Sequence, residues 1–298
     1  MDQRLAVFVA VVEQKSFSAA GKALHMTQPA VSQQVIALER DVGARLLERN
    51  NRYLDMTPAG EIVYEHARQI LALEERMRRH VSDLTQDASG TLTIGASYTI
   101  GEYLLPRALA EFRRSHPRVM PAVTIANTQR IAELVVARRL ELGLVEGDVS
   151  LPQARARPLF EDRLTIVALP QHRLAGRRDI APSELARETW IVREEGSGTR
   201  AASDTFLTSH GLNPAVRLEF GSTHMIKEAV AAGMGISLLS RWATRREVAQ
   251  GALIELSAQG TPYVRQFSAL TLQSRFQTRA LEVFLRLLDE MAPTLAAE

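Results

Sequence analysis

A chain of 298 residues is long for one domain and points to two or three. Hydrophobic residues make up 46% of it and its charges are mixed, so it can bury full cores and is not a disordered tail. The absence of cysteine excludes disulfides and thiolate metal sites, while a net charge of +2 decides nothing about a polyanionic partner.

Leu5–Val12 after Arg4 has the look of a short signal-peptide core, with Ser18-Ala19-Ala20 as a loose cleavage site. Glu13, Gln14 and Lys15 end it abruptly, and it reads better as a buried first helix. No stretch approaches the roughly 20 apolar residues needed to cross a bilayer, so the expectation is a soluble, cytoplasmic protein without membrane association.

Phe17 to Leu38 reads as two short helices joined by a turn at His25 and Met26. Ser18 is the expected N-cap of the first, and Ala19, Ala20 and Ala23 let another helix approach closely. Thr27 caps the second, with Pro29 in its first turn, where a missing N–H costs little. At 100° per residue, Val31, Val35 and Leu38 share a narrow inward arc. Gln28, Ser32 and Gln33 fall on the other side, a polar and nearly uncharged face able to read base edges in a major groove. From these residues alone, an ordinary solvated face explains the pattern equally well.

Next comes a β-hairpin wing: Arg45–Arg49, a turn at Asn50-Asn51, then Arg52–Met56. Residues 1–60 carry seven basic side chains against six acidic ones, so phosphate contacts fall to a few placed groups. Arg49 and Arg52, helix N-termini and backbone N–H groups are the candidates. Thr57 and Pro58 open one long helix to about Asp87. Val63, Ala67, Ile70, Glu74, Met77, Val81 and Leu84 form a heptad seam along it, the mark of a helix that pairs with a copy of itself.

After a hinge at Asp87-Ala88-Ser89-Gly90 the pattern alternates. Strands are expected at Thr91–Gly95, Val119–Ala126, Leu142–Val145, Arg163–Leu169, Trp190–Val192, Val216–Phe220, Ile236–Leu239 and Gln266–Leu272. Helices are expected at Glu102–Arg114, Arg130–Arg139, Ser183–Ala186, Thr199–His210, Thr223–Ala232, Trp242–Gln250 and Thr278–Glu290. Such alternation means parallel sheets covered by helices.

Two stretches, SFSAAGKALHMTQPAVSQQVIALERDVGARLLERNNRYLDMTPAGE and LTIGASYTIGEYLLPRALAEFRRSHP, resemble those of the LysR-type transcriptional regulators, and the resemblance extends over essentially the whole chain. It implies an N-terminal winged helix-turn-helix (1–60), a dimerising linker helix (61–88) and an α/β two-lobe effector domain of periplasmic-binding-protein type. Lobe I would comprise 91–161 and 266–298 and lobe II 162–265, with crossings near Glu161–Asp162 and Val264–Arg265. The implied partners are double-stranded operator DNA, a small-molecule effector and a second copy of the chain, with pairing of dimers into tetramers. The DNA-binding set is Ser18, Thr27, Gln28, Pro29, Ser32, Gln33, Arg49 and Arg52. A periplasmic-type solute-binding protein with an unrelated N-terminal extension is the alternative.

In open α/β sheets, ligands sit beyond the carboxyl ends of strands. Loops at Ala96–Gly101, Asn127–Gln129, Glu194–Arg200 and Gly221–His224 meet that rule. Ser97, Tyr98, Thr99, Thr128, Glu146, Gly196, Ser197, Gly198, Thr199 and Thr223 are the candidate effector-binding residues. Their hydroxyls and N–H groups suit a small anion. No lysine is expected nearby, so matching charge falls to Arg193, Arg200 or Arg130, and Glu146, Glu194 and Glu195 must point outward or pair with arginines. Gly196–Arg200 and Ile94–Pro106 are similar to the branch controlling sulphur-assimilation and carbon-fixation genes. That makes sulfite or sulfate the first guess, and a small carboxylate or phosphorylated metabolite the second. Gly196-Ser197-Gly198 lacks the flanks of a nucleophile elbow, Gly233-Met234-Gly235 follows a helix instead of opening one, and the histidines lack metal-ligand spacing. The expectation is therefore no enzyme, no metal and no cofactor.

Overall fold

The computed structural model describes residues 2–50, 53–83, 88–147, 149, 151–273 and 277–297. Arg52 lies outside them, as do the hinge residue Asp87 and the side chain of Arg49. The chain divides into two compact units, Met1–Leu84 and Thr85–Glu298.

In the first unit, α1 (Asp2–Gln14) buries Leu5, Val7, Phe8 and Val11 against α2 (Phe17–Ala23) and α3 (Gln28–Val42). The apolar run that could pass for a signal peptide is thus core. Ser16, two residues earlier than expected, caps α2 by accepting from Ala19 N at 3.2 Å; Ser18 lies within the helix. The turn into α3 is tight. His25 has φ of +53°, Met26 N donates to Gly21 O at 2.8 Å, and a Cβ on Gly21 would stand 2.7 Å from Met26 O. Val31, Val35 and Leu38 are buried as their spacing demands, each such side chain contributing roughly 1.5–3 kcal/mol. The wing is β1 (Leu47–Asn50) paired antiparallel with β2 (Tyr53–Met56).

The linker helix is α4 (Pro58–Asp83). The expected seam is corrected at its start, because Ala67 is fully buried and Val63 packs beside it in the core that α1 builds. The apolar side chains left exposed are Ile62, Ile70, Leu73 and Met77. The side chain of Val81 and all of Leu84 lie outside the described residues.

The second unit contains, in order, β3 (Gly90–Ala96), α5 (Tyr98–Tyr103), α6 (Leu105–Ser115), β4 (Val119–Ile125), α7 (Thr128–Val136), β5 (Leu142–Glu146) and β6 (Ala154–Ala168). There follow α8 (Pro182–Leu185), β7 (Thr189–Arg193), α9 (Gly198–Ser209), β8 (Val216–Phe220) and α10 (Thr223–Ala231). The chain ends through β9 (Ser237–Ser240), α11 (Arg241–Ala249), β10 (Ile254–Leu256), β11 (Tyr263–Leu272) and α12 (Arg279–Ala297). The helix expected at Glu102–Arg114 is two helices. Pro106 cannot donate to the carbonyl one turn back, so the chain breaks at Leu104 and restarts with Pro106 in the first turn of α6. β10, a three-residue strand, has no counterpart in the sequence reading.

The sheets are not all parallel. β3 pairs parallel with β4 and β5, and β7 with β8, but β6 and β11 run antiparallel to each other over their length. β5 joins β11, and β9 and β10 join β6, all antiparallel. These two long strands make the domain two-lobed. Around their first and last halves lies a core of Leu92, Ile94, Phe112, Phe267 and Phe284, and around the other halves one of Leu164, Ile166, Trp190, Phe206 and Leu238. Where the chain passes between lobes, Asp162 stands opposite Arg265.

Candidate functional site

On α3, Gln28, Pro29 and Gln33 are exposed and Ser32 is half-buried, while Thr27 caps the helix by accepting from Ala30 N at 3.4 Å. Ser18 is exposed on α2. Glu39, in the last turns of α3, accepts from Leu46 N at 2.8 Å and so fixes the approach to the wing relative to the helix. The arrangement presents one helix face beside a two-stranded ribbon, the geometry of a major-groove reader with a backbone-contacting wing.

In the second unit, β3, β7 and β8 each end at a loop that opens α5, α9 and α10, and β4 ends at the loop that opens α7. Asn127 caps α7 and Ser222 caps α10, whereas Ser97 and Ser197 make no side-chain capping bond to α5 and α9. Ser97, Thr99, Thr128, Glu146, Ser197, Thr199 and Thr223 are all buried.

At the centre lies a charge cluster that sequence reasoning missed. Glu146 Oε1 accepts from Thr99 N at 3.1 Å, and Oε2 accepts from Thr199 Oγ1 at 3.1 Å and Arg265 Nη1 at 2.7 Å. Arg265 also donates to Thr199 Oγ1 at 3.0 Å, to Thr99 Oγ1 at 3.4 Å and through Nε to Asp162 at 2.8 Å. Asp162 accepts in turn from Ser240 Oγ at 2.6 Å. Burial alone would raise the Glu146 carboxyl, but Arg265 and the Thr99 and Thr199 hydrogen bonds outweigh it and hold Glu146 below the usual carboxylate range. Asp162 moves the other way: burial, reinforced by the charge of Glu146, pushes it up despite Arg265 and Ser240.

The arginines expected to match an anion are already engaged. Arg193 is buried, donates bidentately to Glu194 at 2.7 and 2.8 Å and to Thr223 Oγ1 at 3.0 Å, and lies 4.6 Å over the Tyr98 ring. Arg200 pairs with Asp204 and Glu219, and Arg130 with Glu133. Glu194 and Glu146 pair with arginines, as anticipated, and Glu195 is exposed. The expectation of no lysine is corrected by Lys227, one turn beyond Thr223, which is buried against Glu247 with its Nζ 5.2 Å from the Tyr103 ring. Gln129 N donates to Gly196 O at 3.0 Å, and a Cβ on Gly198 would stand 2.5 Å from Glu146 Cβ, so the lobes meet closely here.

Beside this contact lies a cavity of about 800 Å³ walled by Thr128, Val136, Glu146, Leu151, Ser197 and Arg200 among others. Thr128 Oγ1 is buried without a hydrogen-bond partner. Among the described residues no group of histidine or acidic side chains could hold a metal ion, and no helix is long and apolar enough to cross a membrane.

Comparison with known proteins decides the family. Residues 3–61 match the bacterial regulatory helix-turn-helix protein, lysR family, and residues 85–293 match the LysR substrate binding domain. The chain is a LysR-type transcriptional regulator. This regulator is 36% identical over 284 residues to the HTH-type transcriptional regulator CysL of Bacillus subtilis (strain 168), covering 95% of each chain. It is 34% identical over 292 residues to CbbR of Rhodospirillum rubrum, covering 98% and 97%. These are names from the branch that its Gly196–Arg200 loop and Ile94–Pro106 resemble. The regulator also superposes with a TM-score of 0.65 and 30% identity on the Synechocystis PCC6803 CcmR regulatory domain in complex with 2-PG, covering 68% of this chain and 98% of that one. The periplasmic solute-binding alternative falls with the match at residues 3–61.

Proposed function

We propose that this regulator reads its operator with Gln28, Ser32 and Gln33 of α3, oriented by Thr27, Pro29 and Ser18, while Arg49 and Arg52 of the wing hold phosphates. We place its effector, a small anion, between the lobes in a cytoplasmic protein divided at the boundaries given above. The observation that carries the effector reading is the buried, unpartnered Thr128 Oγ1 at a cavity also walled by Ser197 and Gly198, where α9 starts without a side-chain cap. An uncapped helix start of this length offers N–H groups and a partial positive end to an anion. The cavity lies in the usual range for an organic ligand and exceeds what sulfite or sulfate needs, which favours the second guess over the first: a carboxylated or phosphorylated metabolite. The 2-PG bound by the CcmR regulatory domain supports the same choice.

Dimerisation falls to the exposed stripe Ile62, Ile70, Leu73 and Met77 of α4. Pairing of dimers into a tetramer falls to the edge strand β4, where Met120, Val123 and Ile125 are exposed. Calorimetric titration of the full-length chain with sulfate, sulfite, small carboxylates and phosphorylated metabolites tests the effector reading. Thr128→Val and Ser197→Ala are the variants to compare. Binding that survives both substitutions unchanged would place the ligand elsewhere.

A further inference from the structure

The donors best placed to hold an anion deep between the lobes are Thr99 N, the Thr199 hydroxyl and the Arg265 guanidinium, and all three converge on one carboxylate of the chain itself, that of Glu146. Thr99 belongs to α5 in one lobe, Thr199 to α9 in the other, and Arg265 to the strand that crosses between them. The same Glu146 also forms part of the cavity wall.

We propose that Glu146 is a tethered stand-in for the effector's anionic group, occupying the anion site and holding the lobes together until a ligand with a dianionic oxyanion head displaces it. The inference rests on reading the cleft as the effector site, and it adds both the class of ligand and the way the site is regulated. A tethered group acts at an effective concentration of millimolar or more, so a free monocarboxylate gains nothing over one already in place. A phosphate ester or sulfate brings a second charge and a third oxygen to the Arg265 guanidinium and the two hydroxyls. Displacement breaks the Glu146–Thr199 link between lobes and replaces it with ligand-mediated contacts, which gives the ligand different affinities for the two lobe arrangements.

The test uses the full-length chain as wild type, Glu146→Ala and Glu146→Gln, with sodium formate and sodium sulfate as probes against chloride at equal ionic strength. Formate and sulfate should each raise the melting temperature of Glu146→Ala by several degrees over chloride, while formate leaves the wild type unmoved. In the isosteric Glu146→Gln, which keeps the packing, the sulfate dissociation constant should fall by roughly tenfold or more relative to wild type once the tethered competitor loses its charge. If neither variant responds to these anions more than the wild type does, Glu146 is a structural carboxylate and the proposal is overturned. The effector reading is judged separately, on the wild type with its Thr128 and Ser197 variants. Anion binding there without any gain in the Glu146 variants removes displacement alone, whereas no wild-type binding to the cleft removes the effector reading and displacement with it.

Discussion

A guanidinium between two buried carboxylates is a residue-scale device whose value shows when one member is removed. Without Arg265, Glu146 and Asp162 would face each other unpaired in the interior. Arg265→Met should therefore destabilise the effector domain by about 3–5 kcal/mol near neutral pH, measured by urea unfolding. In that variant burial, no longer opposed by a cation, should raise both carboxyls above their unfolded values, so the native state would bind protons more readily than the unfolded one. The deficit should then shrink as the pH falls through those raised values, and a deficit that grows on acidification would refute the assignment. On α3, the exposed Gln33 belongs to the face turned away from Val31, Val35 and Leu38. Gln33→Ala should relax operator specificity at a cost of about 1–3 kcal/mol on the preferred site, read from binding to matched and mutated operators.

At the scale of elements, the proposal gives α4 two neighbours, α1 of its own unit and a second copy of the chain. Ala67 and Val63 pack with α1 inside their own unit, so the stripe available to a partner begins at Ile62 and runs through Ile70, Leu73 and Met77. The two faces should respond differently to substitution. Leu73→Asp or Met77→Asp should halve the assembly by light scattering, leaving at most dimers joined through β4, because either would bury a charge in an apolar seam. Ala67→Leu should leave assembly intact and destabilise the N-terminal unit by roughly 1–3 kcal/mol through overpacking, read by thermal melting. A halved assembly from Ala67→Leu, or the full assembly retained in both aspartate variants, would reverse the assignment of faces.

For the whole molecule, β4 is one edge of the large sheet, and most of its side chains are exposed. Soluble proteins protect such edges with charge or cover them, and the β4 edge carries Met120, Val123 and Ile125 instead. Val123→Lys with Ile125→Lys should convert tetramers to dimers that still bind one pair of half-sites, checked by sizing with light scattering and by footprint length. A tetramer that persists would move the second interface elsewhere.

Local patterns were enough for the helix-turn-helix, because Val31, Val35 and Leu38 and the cap at Thr27 are set by neighbours three to five residues away. The same holds for the alternation of strands and helices, and for the loops that converge on the cleft. Nonlocal pairing decided the rest. Whether Ala67 faces α1 or a partner depends on how α4 docks, and the heptad spacing is blind to that. The buried charge cluster depends on the register of β6 against β11, two strands about a hundred residues apart. Strand alternation did hold a hint: Asp162 shares its parity with the buried Leu164 and Ile166, and Arg265 with Phe267 and Ala269. Parity says which way a side chain faces; only the tertiary structure brings Glu146, from a third strand, to the same guanidinium and pairs Arg193, Arg200 and Arg130 with Glu194, Asp204 and Glu133 instead.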